Sequence, residues 1–191
     1  IMELGVRGVV STWAFSYGLL NNEKEKKKLF LNDISECDIE EIINSTNELD
    51  IDVSYEWKND LELEVNEMYD MIFIDTWHIY GQLKRELEKF SKLSNKYIIM
   101  HDTTGDEILG ETVRLCMNSA LIYSSQSGNP VSWNMINEYL KNEASKSDFT
   151  SYEVCRGLWP AIEEFLENNN NWKIKERFTN NNGLTILEKF S

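Results

Sequence analysis

Two histidines occur in the chain, and each stands near an aspartate where an apolar run ends. One run reads Met71-Ile72-Phe73-Ile74-Asp75-Thr76-Trp77-His78, the other Tyr97-Ile98-Ile99-Met100-His101-Asp102. Carboxylates at neighbouring strand ends repel one another unless a cation or a proton lies between them. Asp75 and Asp102 therefore predict a shared divalent ion, and hard oxygen ligands select Mg²⁺, Mn²⁺ or Ca²⁺. His78, three residues beyond Asp75, is placed to take a proton from a hydroxyl held at that ion. His101 reads as a supporting partner of the ligands, or as a residue turned into the sheet. The plainer alternative is that each acid caps a helix or accepts backbone amides, and that both histidines are structural.

A second group sits earlier in the chain. Glu3-Leu4-Gly5-Val6-Arg7-Gly8 follows a short apolar run and precedes a helical stretch. Glycines let a backbone approach a ligand closely. The pattern is not the G-x-G-x-x-G of pyrophosphate-binding loops, so Glu3, Gly5 and Gly8 suit a cofactor without a pyrophosphate, or simply a tight turn. Asp33 closes the next apolar run, where an acid can accept hydrogen bonds from ribose hydroxyls or cap the following helix. Asp60 follows the third run, either near an adenine or as a turn residue. Trp77, Tyr80 and Trp133 line the cleft or pack in the core.

Such residues converge only if the runs between them are parallel strands whose carboxyl ends open into one cleft. The chain supplies them. Strand patterns at Met2–Leu4, Leu29–Leu31, Ile51–Tyr55, 70–75 and 96–100 alternate with helical patterns at 11–20, 38–47 and 81–93. Ser11 is the expected cap of the first helix. A helix over 158–166 and strands over 172–178 and 184–190 follow. The connector Thr179-Asn180-Asn181-Asn182-Gly183 is a hairpin signal, because Asn-Gly accepts positive φ. The expected fold is α/β: a Rossmann-like three-layer sandwich, mostly parallel, ending in an antiparallel hairpin. Residues 103–151 break the alternation and read as an insertion with one or two helices, a lid over the site.

Composition narrows the class. The 191 residues suffice for one domain with a sizeable core. A net charge of −14 argues against nucleic acid as the partner. No apolar stretch approaches the ~20 residues of a membrane span. Cys37, Cys116 and Cys155 are odd in number and far apart, which suits reduced thiols and a cytoplasmic setting. The start inside an apolar run, Ile1-Met2-Glu3-Leu4, reads as a segment of a longer protein whose N-terminal cover is missing. It reads equally as one domain of a multidomain chain, and a homo-oligomer or a neighbouring domain is the expected protein partner.

The order Glu3-x-Gly5-x-x-Gly8, Asp33, Asp75-x-x-His78-x-Tyr80 and His101-Asp102-Thr103 resembles class I S-adenosylmethionine-dependent methyltransferases. In particular it resembles metal-dependent O-methyltransferases and cephalosporin-hydroxylase-like proteins of sugar, antibiotic and polysaccharide tailoring. Leu158-Trp159-Pro160 and Asn182-Gly183-Leu184-Thr185 look like the same group. The resemblance implies S-adenosylmethionine at Glu3, Gly5, Gly8 and Asp33, with Asp60 the further cofactor residue expected from its place after the third run. It also implies Mg²⁺ or Mn²⁺ at Asp75 and Asp102, His78 as base, and a sugar or glycan hydroxyl as acceptor. Thr103 departs from it, standing where such families often carry a further acid or amide. A metal-dependent hydrolase or hydroxylase-associated enzyme, or a non-catalytic domain of a larger protein, remains open on the same residues.

Overall fold

A computed structural model describes residues 1–190. Seven strands form one sheet: β1 (Met2–Leu4), β2 (Lys28–Asp33), β3 (Asp52–Trp57), β4 (Tyr69–Ile74), β5 (Ser94–His101), β6 (Trp172–Phe178) and β7 (Leu184–Lys189). Their order is β3-β2-β1-β4-β5-β7-β6. The first five strands are mutually parallel, and β7 runs antiparallel to both β5 and β6. The expected mostly parallel sheet with a terminal hairpin is what forms.

Strand alternation sends neighbouring side chains to opposite faces. Leu29 and Leu31 of β2 pack with Leu19 of α1 (Val10–Leu20) and Ile42 of α2 (Glu40–Asn47). Phe30, between them, joins Met2, Leu4, Ile72 and Ile98 on the other face. That face is covered by Leu83, Leu87 and Phe90 of α3 (Tyr80–Phe90) and by Ile162 and Phe165 of α7 (Trp159–Asn168). Helices thus lie on both faces, as a three-layer sandwich requires.

Two expected caps are corrected. Ser11 does not cap α1: the helix begins after Val9, whose φ of 56° is left-handed, and no side chain caps it. The Ser11 hydroxyl instead donates to the buried Glu3 carboxylate. Nor does Asp33 cap α2, which begins seven residues later, at Glu40. The 103–151 stretch contains two long helices, α4 (Glu111–Ser127) and α5 (Trp133–Ser145). A short helix not expected from the sequence, α6 (Ser151–Cys155), follows them. Its start is fixed by a reciprocal Thr150–Glu153 capping box.

At the hairpin between β6 and β7, Asn181, Asn182 and Gly183 all take positive φ. The Asn182 carbonyl turned outward by this bend accepts the amides of both Thr104 and Gly105, at 2.7 Å each. The hairpin tip therefore holds the loop that leaves β5. Among the described residues, no helix is long and apolar enough to cross a membrane.

Candidate active site

The carboxyl ends of β1, β2 and β4 open into a cleft of about 850 Å³. Gly5, Asp33, Asp60, Asp75 and Trp77 line it, and residues 145–149 between α5 and α6 close one side. Gly5 has φ +90°, and a Cβ there would overlap the Asp75 carbonyl oxygen. This position needs glycine both for its backbone angle and for the close passage of the β4 exit. Arg7 and Val9 are left-handed too, while the Gly5 and Val9 amides pair with the Asn32 and Val6 carbonyls.

The anion that meets this loop is Asp33. Its Oδ2 accepts the Arg7 amide at 2.9 Å, and its Oδ1 accepts the Ser35 amide at 2.7 Å. A carboxylate has about four lone-pair sites, so both oxygens can still accept from a ligand in the cleft. Glu3 lies beneath the loop, fully buried. Burial pushes its carboxyl up to about 7, against the lowering effect of the Ser11 hydrogen bond and of the nearby Thr12 hydroxyl. Gly8 does not face the cleft; it borders a separate shallow groove beside Asp38 and Glu41. Asp60, on the 3₁₀ turn Asp60–Glu62 after β3, is buried in the wall.

On the other side of Gly5 the structure brings the second group together. His78 Nε2 lies 3.0 Å from Asp75 Oδ1, and its Nδ1 lies 3.0 Å from Asp102 Oδ2 and 3.3 Å from Asp106 Oδ2. His101 Nδ1 stands 3.2 Å from Asp102 Oδ1 and 3.6 Å from Asp75 Oδ1. Burial disfavours a charged His78 ring, but its contacts with Asp106 and Asp75 and the charge of Asp102 outweigh burial and raise it to about 10. At neutral pH the ring is therefore an imidazolium, and a positive charge already sits between the carboxylates. Asp75 is held below the usual range: burial opposes its charge, but His78 favours it more.

Three of these residues, Asp75, His78 and Asp102, offer ligand atoms that all lie within 4.8 Å of one another. This donor set suits a divalent ion in composition, provided His78 gives up its proton or swings aside. Thr103 is no ligand, because its buried hydroxyl is paired with Thr185 Oγ1 at 2.9 Å. The additional acid is Asp106, three residues later. Asp106 also takes a two-pronged contact from Arg114, at 2.8 and 2.9 Å. Glu111 completes the rim, 3.7 Å from His78. Sequence reasoning missed Asp106, Glu111 and Arg114. The available signal was an acid at the start of a helix, Gly110-Glu111, within a stretch of no clear period.

The aromatic residues separate. Trp77 lines the cleft and meets Phe149 edge-to-face, with ring centroids 5.6 Å apart. Tyr80 is buried away from the cleft, with its hydroxyl on Glu164 of α7. Trp133 is 75% exposed on α5.

No protein-family model matches the chain, and no curated protein is similar to it in sequence. Solved structures share its fold. The N-methyltransferase NodS from Bradyrhizobium japonicum WM9 is 12% identical, with a TM-score of 0.54 over 100% of this chain and 85% of that one. The O-methyltransferase TomG from Streptomyces achromogenes, solved with S-adenosylmethionine, is 12% identical, with a TM-score of 0.50 over 100% and 72%. A putative Zn-dependent alcohol dehydrogenase from Rhodobacter sphaeroides is 10% identical, with a TM-score of 0.53 over 100% and 84%. The chain has the Rossmann-like fold that these methyltransferase structures display.

Proposed function

We propose that the protein is an S-adenosylmethionine-dependent O-methyltransferase. One observation carries the reading: a single cleft has Gly5, Asp33 and Asp60 on one side and Asp75 on the other, and Asp75 stands within ligand distance of His78 and Asp102 behind it. The fold likeness to methyltransferases supports it. Two further points weigh against a dinucleotide cofactor. The final strand pair is β7-β6, where the classic dinucleotide fold continues in simple order, and the loop after β1 lacks a pyrophosphate fingerprint.

In this reading Asp33 accepts from the ribose hydroxyls and Asp60 lies towards the adenine. Gly5 lets the amino-acid end of the cofactor pass close to the backbone. Glu3 acts from beneath, holding Ser11 and so the start of α1. Residues 145–149, pinned by Phe149 on Trp77, act as a lid that excludes water. The enzyme then aligns an acceptor with the activated methyl.

The acidic group favours oxygen over nitrogen as acceptor. A neutral amine can attack with its own lone pair, whereas an alcohol needs to lose its proton as the bond forms. His78 is the base of this scheme, once neutral. Asp75, Asp102 and Asp106 would hold Mg²⁺ or Mn²⁺, and that positive charge would both displace the His78 proton and lower the pKa of an acceptor hydroxyl. A sugar or glycan acceptor fits a rim of carboxylates that can accept hydrogen bonds from hydroxyls.

Calorimetric titration with S-adenosylmethionine tests the reading. One molecule should bind per chain, and Asp33→Ala should weaken binding about tenfold or more, the scale of a lost hydrogen-bonded charge. Methyl transfer to hydroxylated acceptors should rise on addition of Mg²⁺ or Mn²⁺. A folded protein that binds no S-adenosylmethionine refutes the reading.

A further inference from the structure

Behind Asp60, in the cleft wall, lies a buried polar group whose other members the methyl-transfer scheme does not use. The Gln82 amide nitrogen of α3 stands 2.9 Å from Asp60 Oδ1 and 2.8 Å from Glu86 Oε1, so its two N–H groups bridge two carboxyls. Glu86 Oε1 also accepts from the Thr76 hydroxyl, at the exit of β4. Asp60 and Gln82 are each 6% exposed and Glu86 only 1%. Asp60 Oδ2 is sealed from solvent and meets no N–H or O–H donor. Asp60, Gln82 and Thr76 line the cleft, whereas Glu86 does not.

We propose that Glu86 is a positioning residue: through the Gln82 amide it sets the Asp60 carboxylate to receive an exocyclic amine of a purine ligand, and the two carboxyls share one proton. This inference rests on the reading of the cleft as a nucleoside-cofactor site. A pair of carboxyls in one dry pocket cannot both ionise cheaply, so one keeps a proton. That proton gives the orphaned Asp60 oxygen a partner, and leaves a carboxylate lone pair for the ligand. Burial, and then the charge of Asp60, pushes Glu86 well above its usual range; burial also raises Asp60.

The surroundings offer little charge to replace the shared proton. Lys89 is the near cation, but its ammonium is tied to the Asp60 and Leu61 carbonyls at 2.8 and 2.9 Å. Lys58, Glu62 and Glu64 flank it around the 3₁₀ turn. On the rest of α3, Arg85 pairs with Glu153 of α6, and Lys84 with Glu164 of α7. Beyond Thr76 comes Asp75, a further negative charge. Thr76 also makes the group a physical link between the adenine side of the cleft and the β4 exit.

The test is titration of S-adenosylhomocysteine into the wild type, Glu86→Gln and Glu86→Leu, from mildly acid to alkaline pH, as far as each protein stays folded. Wild-type affinity should fall towards the alkaline end, as the shared proton leaves and two charges face each other. Glu86→Gln supplies a permanent N–H, so it should bind as tightly as the wild type near neutrality and lose the alkaline fall. Glu86→Leu should bind about tenfold more weakly, with thermal melting confirming that it is folded. Infrared spectra of the unliganded protein, taken above the pH of about 7 at which Glu3 gives up its proton, should show a protonated-carboxyl band that Glu86→Gln removes. A folded Glu86→Gln that binds tenfold more weakly, keeps the wild-type pH profile or leaves that band unchanged overturns the proposal. Absence of binding by the wild type instead overturns the cofactor reading, and the positioning role with it.

Discussion

Glu3 shows what a single buried acid costs. Its carboxyl is fully enclosed, and its pKa rises from about 4.5 to about 7 on folding. The native state thus holds a proton that the unfolded chain has already released within that window. Stability should fall as pH climbs from about 4.5 to about 7, by roughly 3 kcal/mol in total, and level off above. Glu3→Gln should lack this decline, so the gap between variant and wild-type melting temperatures should widen across the window. Melts across the pH range check it. The same scale shows what side chains disclose in a sequence. Asp75, His78 and Asp102 were legible because apolar strands end abruptly at them, and strand ends are where sheets present ligands. Asp106 and Arg114 were not. Asp106 reaches His78, and Arg114 reaches Asp106, because the loop after β5 turns back, with Asp102 at φ 56°, and no periodicity reports such a turn.

At the level of elements, strands were easier to read than caps. The central strands β1, β2, β4 and β5 carry apolar runs, which few other structures would bury. Helix starts depend on where a side chain finally points. Ser11 looked like a cap but turns to Glu3. Thr150 and Glu153 form a real capping box where the stretch that breaks the alternation ends. The join between α5 and α6 matters most for the cleft. Phe149 rests there edge-on against Trp77, with the Arg85 guanidinium 4.3 Å above its ring. Removing the ring should loosen this join by about 1–2 kcal/mol, the worth of one aromatic pair and one cation–π contact. Phe149→Ala should therefore release a bound S-adenosylmethionine several-fold faster, read by stopped-flow, with a smaller change in global melting temperature.

For the molecule as a whole, charge is the dominant quantity. A net charge of −14 makes the folded chain repel itself, and screening relieves repulsion between surface charges. Raising NaCl from near zero to about 0.15 M, where the screening length is about 8 Å, should raise the melting temperature. A fall instead would mean that ion pairs such as Lys84–Glu164 outweigh the net repulsion. The layered architecture was legible because alternating strand and helix patterns admit few arrangements. The packing of residues 103–151 was not, because exposed apolar residues such as Leu121 and Ile122 on α4 blur the contrast between its inner and outer faces.

The grip of the Asn182 carbonyl on Thr104 and Gly105 has a consequence for biosynthesis. A ribosome delivers Asp75, His78 and Asp102 long before Gly183 emerges. The nascent polypeptide can pair its first five strands while the segment bearing Asp102 and Asp106 still lacks its clasp. The settled geometry of this acidic cluster should therefore arrive only after Gly183 has emerged, which spares the half-made molecule from holding four crowded carboxylates in place.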